Sequence, residues 1–264
     1  MKKILITCGL VLSIGLVQAQ QKEGTVNYER VSQMRARFNI NGVENDMPQT
    51  RKDNFELIFG NNKSLWKALE QDDDNDHSGN TEGVQIRMIV AGSNDVLFNN
   101  FETGKKVEKR ELFDKMFIVD DSIRSLKWKM TGETKTIFNF SCMKATATSI
   151  VKRTMMTMDD GKMERKEIED TSNIVAWFTT SIPVSAGPAE YQGQLPGLIL
   201  EMDIKNSTQT YKVTGISEKA DLAVIKEPTS KKHYTPEEFK KERDKMMKEM
   251  QENNQGGNRQ IRIN

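Results

Sequence analysis

From about residue 24 to 225 the chain is written as short runs that alternate apolar and polar residues, separated by turns too short to hold a crossover helix. Residues 25–31 (TVNYERV), 53–59 (DNFELIF), 64–69, 84–90, 95–101 and 106–113 open the series, and that period-two pattern is the signature of half-buried strands. Strands joined this tightly pair antiparallel, because a parallel neighbour needs a connection of a dozen or more residues. Residues 116–119 form a short apolar run. Residues 125–130 and 135–140 flank Thr131-Gly132-Glu133, which reads as a hairpin turn. Residues 142–151 follow. Residues 155–158 and 163–168 flank a second turn at Asp159-Asp160-Gly161, and 174–178, 198–204, 209–216 and 222–225 complete the set. Residues 34–50 are polar and broken by Met47-Pro48. One polar face per strand predicts a sheet covered on one side, which must curl to bury its apolar face. The expected fold is mainly β: a curved antiparallel meander or partial barrel with a C-terminal helix.

That helix announces itself at Thr235-Pro236-Glu237-Glu238. Threonine serves as N-cap, proline takes the first helical position and glutamate the third. It should run to about Glu252, with Phe239, Met246, Met247 and Met250 as an apolar stripe that packs on the domain or acts as a lid or partner contact. At the other end, Lys2 and Lys3 precede an apolar run over 4–17, with Val17 and Ala19 at the −3 and −1 positions of a cleavage site before Gln20. The run is shorter than the ~20 residues a membrane span requires. The expected organisation is a signal peptide at 1–19, a β domain at 20–227, the C-terminal helix at 228–252 and a flexible tail at 253–264. Export to the periplasm or cell surface, with no membrane span after removal of the signal, follows as an expectation.

Removal of the leader takes Lys2, Lys3 and Cys8. From 39 Lys and Arg against 38 Asp and Glu, 37 basic residues then face 38 acidic ones. Such a balance offers no basic face for nucleic acid. Cys142 is then the sole cysteine, so no internal disulfide forms and the fold must stand on its core.

Between the strands at 174–178 and 198–204 lies the most idiosyncratic stretch, WFTTSIPVSAGPAEYQGQLPGLILEM at 177–202. It holds Pro183, Pro188 and Pro196, three of the six prolines, together with Gly187, Gly193 and Gly197. Ala176-Trp177-Phe178-Thr179, Ile182-Pro183-Val184-Ser185-Ala186-Gly187-Pro188 and Leu195-Pro196-Gly197-Leu198-Ile199-Leu200 together resemble the GLPGLI family, secreted proteins known mainly from Bacteroidetes. Cys142-Met143-Lys144-Ala145-Thr146 and the opening Gly24-Thr25-Val26-Asn27-Tyr28 are similar to the same family. Gln194 departs from its pattern, standing where the family name has its first glycine, with Gly193 one place earlier. The resemblance implies an envelope accessory protein, in some cases beside an outer-membrane TonB-dependent receptor, and carries no established reaction.

Physically, Pro196-Gly197 reads as a type II turn with positive φ at Gly197. The stretch has two readings. In one it is a rigid plug whose apolar side chains complete the core. In the other, Trp177, Phe178, Pro183, Pro188, Tyr191, Leu195, Pro196, Gly197 and Leu198 form a groove for an apolar ligand or partner segment.

Catalytic patterns are sparse. The two histidines, His77 and His233, lie far apart in polar surroundings, and no HExxH, CxxC or GxSxG occurs. Cys142 reads as a buried strand cysteine. The acidic loop Asp74, Asp76, Ser78, Asn80, Glu82 has the oxygen spacing of the first half of a calcium loop, with Gly79 at the sharp turn, but Gln85 replaces the bidentate glutamate. A solvated acidic loop is the plainer reading, a weak calcium site the sharper one, and zinc through His77 a third. No other cofactor is expected. The functional expectation is an exported, non-enzymatic envelope accessory protein. The alternatives are a periplasmic hydrolase with an unrecognised carboxylate site, which needs paired carboxylates in a cleft with one raised pKa, and a purely structural protein.

Overall fold

The computed structural model describes residues 22–40, 43–69, 94–159 and 162–255, of which 34–40, 43–49, 151–159, 162–168 and 250–255 are described by their backbone alone. The leader, the tail beyond 255, the acidic loop and the expected strand at 84–90 lie outside the described residues.

Twelve strands form one open sheet that does not close into a barrel. They are β1 (Gly24–Ile40), β2 (Val43–Gly60), β3 (Lys63–Ala68), β4 (Val96–Asn100), β5 (Lys105–Leu112), β6 (Lys115–Ser122), β7 (Lys129–Ile137), β8 (Phe140–Asp159), β9 (Lys162–Thr179), β10 (Leu198–Ile204), β11 (Gln209–Ser217) and β12 (His233–Tyr234), followed by helix α1 (Pro236–Gln255). The order across the sheet is β12-β6-β5-β4-β3-β2-β1-β11-β10-β9-β8-β7. Two meanders thus meet where β1 pairs with β11. The expected antiparallel pairing holds except at one edge, where β12 runs parallel to β6 and makes the sheet mixed.

Chain connectivity sets the curvature. Strands β6 and β7 lie near opposite edges, ten spacings apart, which in a flat sheet is about 48 Å. Only residues 123–128 join them, and a linker of that length reaches about 25 Å at most. The sheet must therefore curl until its edges approach, and 123–128 straps the seam between them.

Turn chemistry explains most boundaries. Asn61-Asn62, Phe113-Asp114 and Phe138-Asn139 all have positive φ at both central positions, the twist that joins two-residue hairpins. The last of these corrects the expected hairpin at 131–133. Gly132 (φ +80) instead sits where β7 bulges against β8, between Met130 and Thr134, and the reversal comes six residues later. Pro48 does not end a strand either. It lies within β2 opposite Arg35, beyond the stretch paired with β3, so its missing N–H is tolerated on a free edge. Residues 222–224 form a 3₁₀ turn rather than a strand, capped by the Asp221 side chain accepting from the Ala223 N–H.

The core lies in the concavity. Val26, Tyr28, Leu57, Phe59, Trp66, Ala145, Ile174, Phe178 and Met202 line it from the strands, and all are buried. The sheet is not bare on its other side, contrary to the one-sided expectation. Leu65, Phe98, Val107 and Ile118 form a second cluster there, covered by Ile225 as the chain crosses behind β3–β6.

Helix α1 begins as expected. The Thr235 N–H donates to Glu238 Oε2 at 2.8 Å and the Glu238 N–H donates back to Thr235 Oγ1 at 3.2 Å. It docks by its first turn, where Phe239 packs edge-on against Phe117 with ring centroids 5.3 Å apart. Met246 reaches the same cluster, while Met247 is exposed. Phe239→Ala removes the one buried anchor among the described side chains of the helix. Limited proteolysis should then cut α1 from the variant well before the wild type, with the β signal in circular dichroism retained.

Candidate functional site

The chain leaves β9 at Thr179 and crosses the concavity before re-entering the sheet at Leu198. Residues 180–197 hold themselves together. Gly193 N–H donates to Ser185 O at 2.6 Å, Ser185 Oγ donates to Leu195 O at 2.6 Å, and Ile199 N–H donates to Ala186 O at 3.0 Å. Tyr28, rising from β1, donates its hydroxyl to Ile199 O at 2.6 Å.

Two glycines are required for different reasons. Gly193 has φ +75, so the left-handed position does sit one place before Gln194. Gly197, expected to carry positive φ, does not. A Cβ there would stand 2.1 Å from Thr179 O, so glycine is needed for close backbone approach.

Gln194, the departure from the family pattern, has become a clamp. Its Oε1 accepts from Leu126 N–H and Trp128 Nε1–H, both at 3.1 Å, and its Nε2 donates to Glu190 O at 2.9 Å. The loop is thereby tied to the strap across the seam. On its other flank Gln192, 1% exposed, accepts from Ser64 Oγ at 2.6 Å and donates to Ala189 O at 3.1 Å. These two glutamines brace the loop against the strap on one side and against β3 on the other.

The residues singled out in the sequence separate accordingly. Phe178, Pro188, Tyr191, Leu195, Gly197 and Leu198 are buried, whereas Pro183 and Pro196 are exposed. Ile182, Ala186, Tyr191 and Leu195 join the main core cluster. Trp177 lies on the opposite face of β9 from Phe178, beneath Lys135 Nζ at 4.4 Å and Lys144 Nζ at 5.7 Å. The loop packs into the core as a plug through Ile182, Ala186, Tyr191 and Leu195. The calcium candidates Asp74, Asp76, Ser78, Asn80 and Glu82 lie outside the described residues.

A cleft of about 280 Å³ lies beside the plug, at the seam. Asn99, Lys106 and Asp121 line it from β4–β6, Ile123, Arg124 and Leu126 from the strap, Ser149 from β8, and Glu190, Tyr191, Gln192 and Gln194 from the plug. Of the residues proposed from sequence that are described, Tyr191 alone lines it. Strand alternation foretold which face Asn99, Lys106 and Asp121 share. Nothing local foretold that the plug and strap would meet them.

The cleft's charges are organised around Asp121. Its Oδ2 pairs with Lys106 Nζ at 3.2 Å, and its Oδ1 with Arg124 Nη2 at 3.2 Å while accepting from Ser122 N–H at 2.8 Å. Burial alone would raise its pKa, but the Ser122 N–H, Lys106 and Arg124 outweigh it and hold the carboxyl below its ordinary range. Lys106, bonded also to Glu108 at 3.0 Å, is held above the ordinary lysine range, the carboxylates overcoming burial. Among the described residues, the carboxyl that burial pushes up is Asp95, which accepts from Glu111 N–H at 2.8 Å and is not among the cleft residues. Cys142 is buried, and burial pushes its thiol up, away from nucleophilic thiolate. Among the described residues no group of three His, Cys, Asp or Glu side chains is placed to hold a metal ion.

Asp121→Asn tests the electrostatics. A carboxyl whose folded pKa is depressed contributes stability above its unfolded pKa and loses it as pH falls through the folded value. The variant should be less stable than wild type at pH 7, and the two denaturation midpoints should converge below about pH 4, near and under the ordinary aspartate pKa. A gap that persists at low pH would show that Asp121 acts by shape rather than charge.

Residues 128–201, which run from the end of the strap through β7–β9 and the plug into β10, match the model of a family described as a protein of unknown function, Porph_ging. No curated protein matches the chain. Among solved structures it is similar to PNGF-II, at 17% identity and a TM-score of 0.45, over 84% of this chain. The match spans 32% of that longer chain.

Proposed function

We propose that this chain is an exported, non-catalytic accessory protein of the cell envelope, of the GLPGLI type, and that it holds a segment of a partner protein along its seam. The observation that carries this reading is the filled interior. Among the described residues, Ile182, Ala186, Tyr191 and Leu195 fill the concave face where an apolar ligand would enter. The open trough instead carries both signs of charge at Lys106, Asp121, Arg124 and Glu190. Mixed charge suits a polypeptide segment with ionic side chains. The leader at 1–19 supports export to the periplasm or cell surface, and the family resemblance favours an outer-membrane TonB-dependent receptor as partner.

A pull-down from envelope membranes with the tagged mature chain tests this, with mass spectrometry of proteins and lipids. A TonB-dependent receptor should be recovered. Its yield should fall for Arg124→Glu, a rim residue whose side chain is 72% exposed and whose change leaves the core intact. Recovery of lipid without protein, or turnover of a hydrolysable substrate by the purified chain, overturns the reading. Calcium at Asp74, Asp76, Ser78, Asn80 and Glu82 is a separate proposal. Titration calorimetry of the mature chain should show heat with calcium that Asp76→Ala abolishes, and no heat in the wild type would end it.

A further inference from the structure

Two strand pairs outrun the sheet at the same end. β1 pairs with β11 only as far as Ser32, opposite Gln209, and continues to Ile40 against β2 alone. β9 pairs with β10 only from Ile174 onward, and its preceding residues, back to Lys162, pair with β8 alone. Ser32, Gln209, Ile204 and Ile174 lie in one row across four strands, so both overhangs pass the turn that joins β10 to β11. The arms β1/β2 and β8/β9 therefore flank a gap whose floor is that turn. β10 and β11 separate their bases, so the gap is two strands wide and β1 stands about 14 Å from β9.

The backbone bonds at the floor fix what the walls present. Gln33 N–H donates to Thr208 O, and Lys205 N–H donates to Asn173 O, both at 2.8 Å. A strand residue's N–H and C=O point the same way, and the direction alternates along the chain. Arg35 and Arg37 on β1, and Thr171, Glu169, Glu167 and Arg165 on β9, thus aim backbone donors and acceptors into the gap. No strand lies there among the described residues. Free edges of this length invite pairing unless blunted. The outer edge of β2 is blunted: the same alternation turns the nitrogen of Pro48, opposite Arg35, away from β1. β8 and β9 contain no proline.

We propose that the gap is filled by a second copy of this chain, the β8/β9 arm of each copy entering the gap of the other about a twofold axis normal to the sheet. The arm is two strands wide, as is the gap. That axis sets β9 antiparallel to β9 of the second copy and β8 antiparallel to its β1, so the ladder runs unbroken across both molecules. Charge along the β9 overhang fits the same arrangement. Its tip half carries Lys162, Arg165 and Lys166 against Glu164 and Glu167, and its base half carries Glu169 and Asp170. Antiparallel self-pairing lays basic half against acidic half, whereas parallel pairing would oppose like charges. The Asp159 tip of β8 meanwhile approaches the stretch of β1 that holds Arg35 and Arg37. The interface is isologous, so it closes at two copies.

Sedimentation velocity of the mature chain across micromolar concentrations should give the mass of a dimer. Glu167→Pro should give the mass of a monomer with unchanged circular dichroism. Its N–H faces the second copy, and those bonding β9 to β8 are untouched. If proline unfolds the arm, the double variant Arg165→Glu with Lys166→Glu decides, and it too should be monomeric. Glu167→Cys should cross-link two copies under mild oxidation, Cys142 being buried. A monomeric wild type, or a dimer that survives Glu167→Pro and the charge reversal alike, overturns the proposal.

Discussion

Gly197→Ala is expected to cost about 3 kcal/mol, the upper end for forcing atoms into filled space. The added methyl would lie 2.1 Å from Thr179 O and 2.7 Å from its carbonyl carbon. Both belong to the backbone of β9 where it pairs with β10, Thr179 standing opposite Leu198, so neither can rotate away. The strand pair must part or the plug must rise. Urea denaturation should show a lower midpoint with an unchanged slope. Gly193→Ala offers a comparison, because its nearest contact is the side chain of Ile123 at 2.7 Å, which can move. Its cost comes from positive φ, on the order of 1 kcal/mol. If the two variants were equally stable, the close approach of Gly197 to β9 would not be what fixes the plug.

Leu195→Ala carries the second large effect. Leu195 is 2% exposed and sits in the main core cluster, so truncation should cost about 2–5 kcal/mol, through lost burial and the cavity left behind. Pro196 beside it and Pro183 earlier in the loop are exposed. Their alanine variants should each lie within about 0.5 kcal/mol of wild type. This contrast separates a plug from a lip. Side chains lining an open groove would yield their burial only when a ligand binds, and Leu195→Ala would then be nearly neutral in the free protein. Thermal unfolding of the three variants measures the difference directly.

Legibility from the sequence followed the range of the interactions concerned. The helix start at Thr235-Pro236-Glu237-Glu238 was readable because a capping box is completed within four residues. Most strands were readable because alternation is local. The turn at Thr131-Gly132-Glu133 was misplaced because glycine marks positive φ without saying whether a reversal or a bulge uses it, and β8 settled that by pairing on both sides of it. Residues 222–225 look like a strand because they are apolar, yet 222–224 form a 3₁₀ turn and Ile225 packs on the outer cluster instead of joining the sheet. Gln194 was visible only as a departure from a pattern. Its three hydrogen bonds reach Glu190, Leu126 and Trp128, the last two nearly seventy residues away.

By itself the sequence determined that this chain would be a mainly antiparallel meander with one capped helix, since turn types, alternation and caps act over a few residues. It also marked 177–202 as singular. The tertiary structure decided that the plug turns inward, that the strap draws Lys106, Asp121 and Arg124 to its flank, and that two arms face each other across a gap. Each of these follows from pairing and curvature accumulated over twelve strands, and no window of sequence contains that sum.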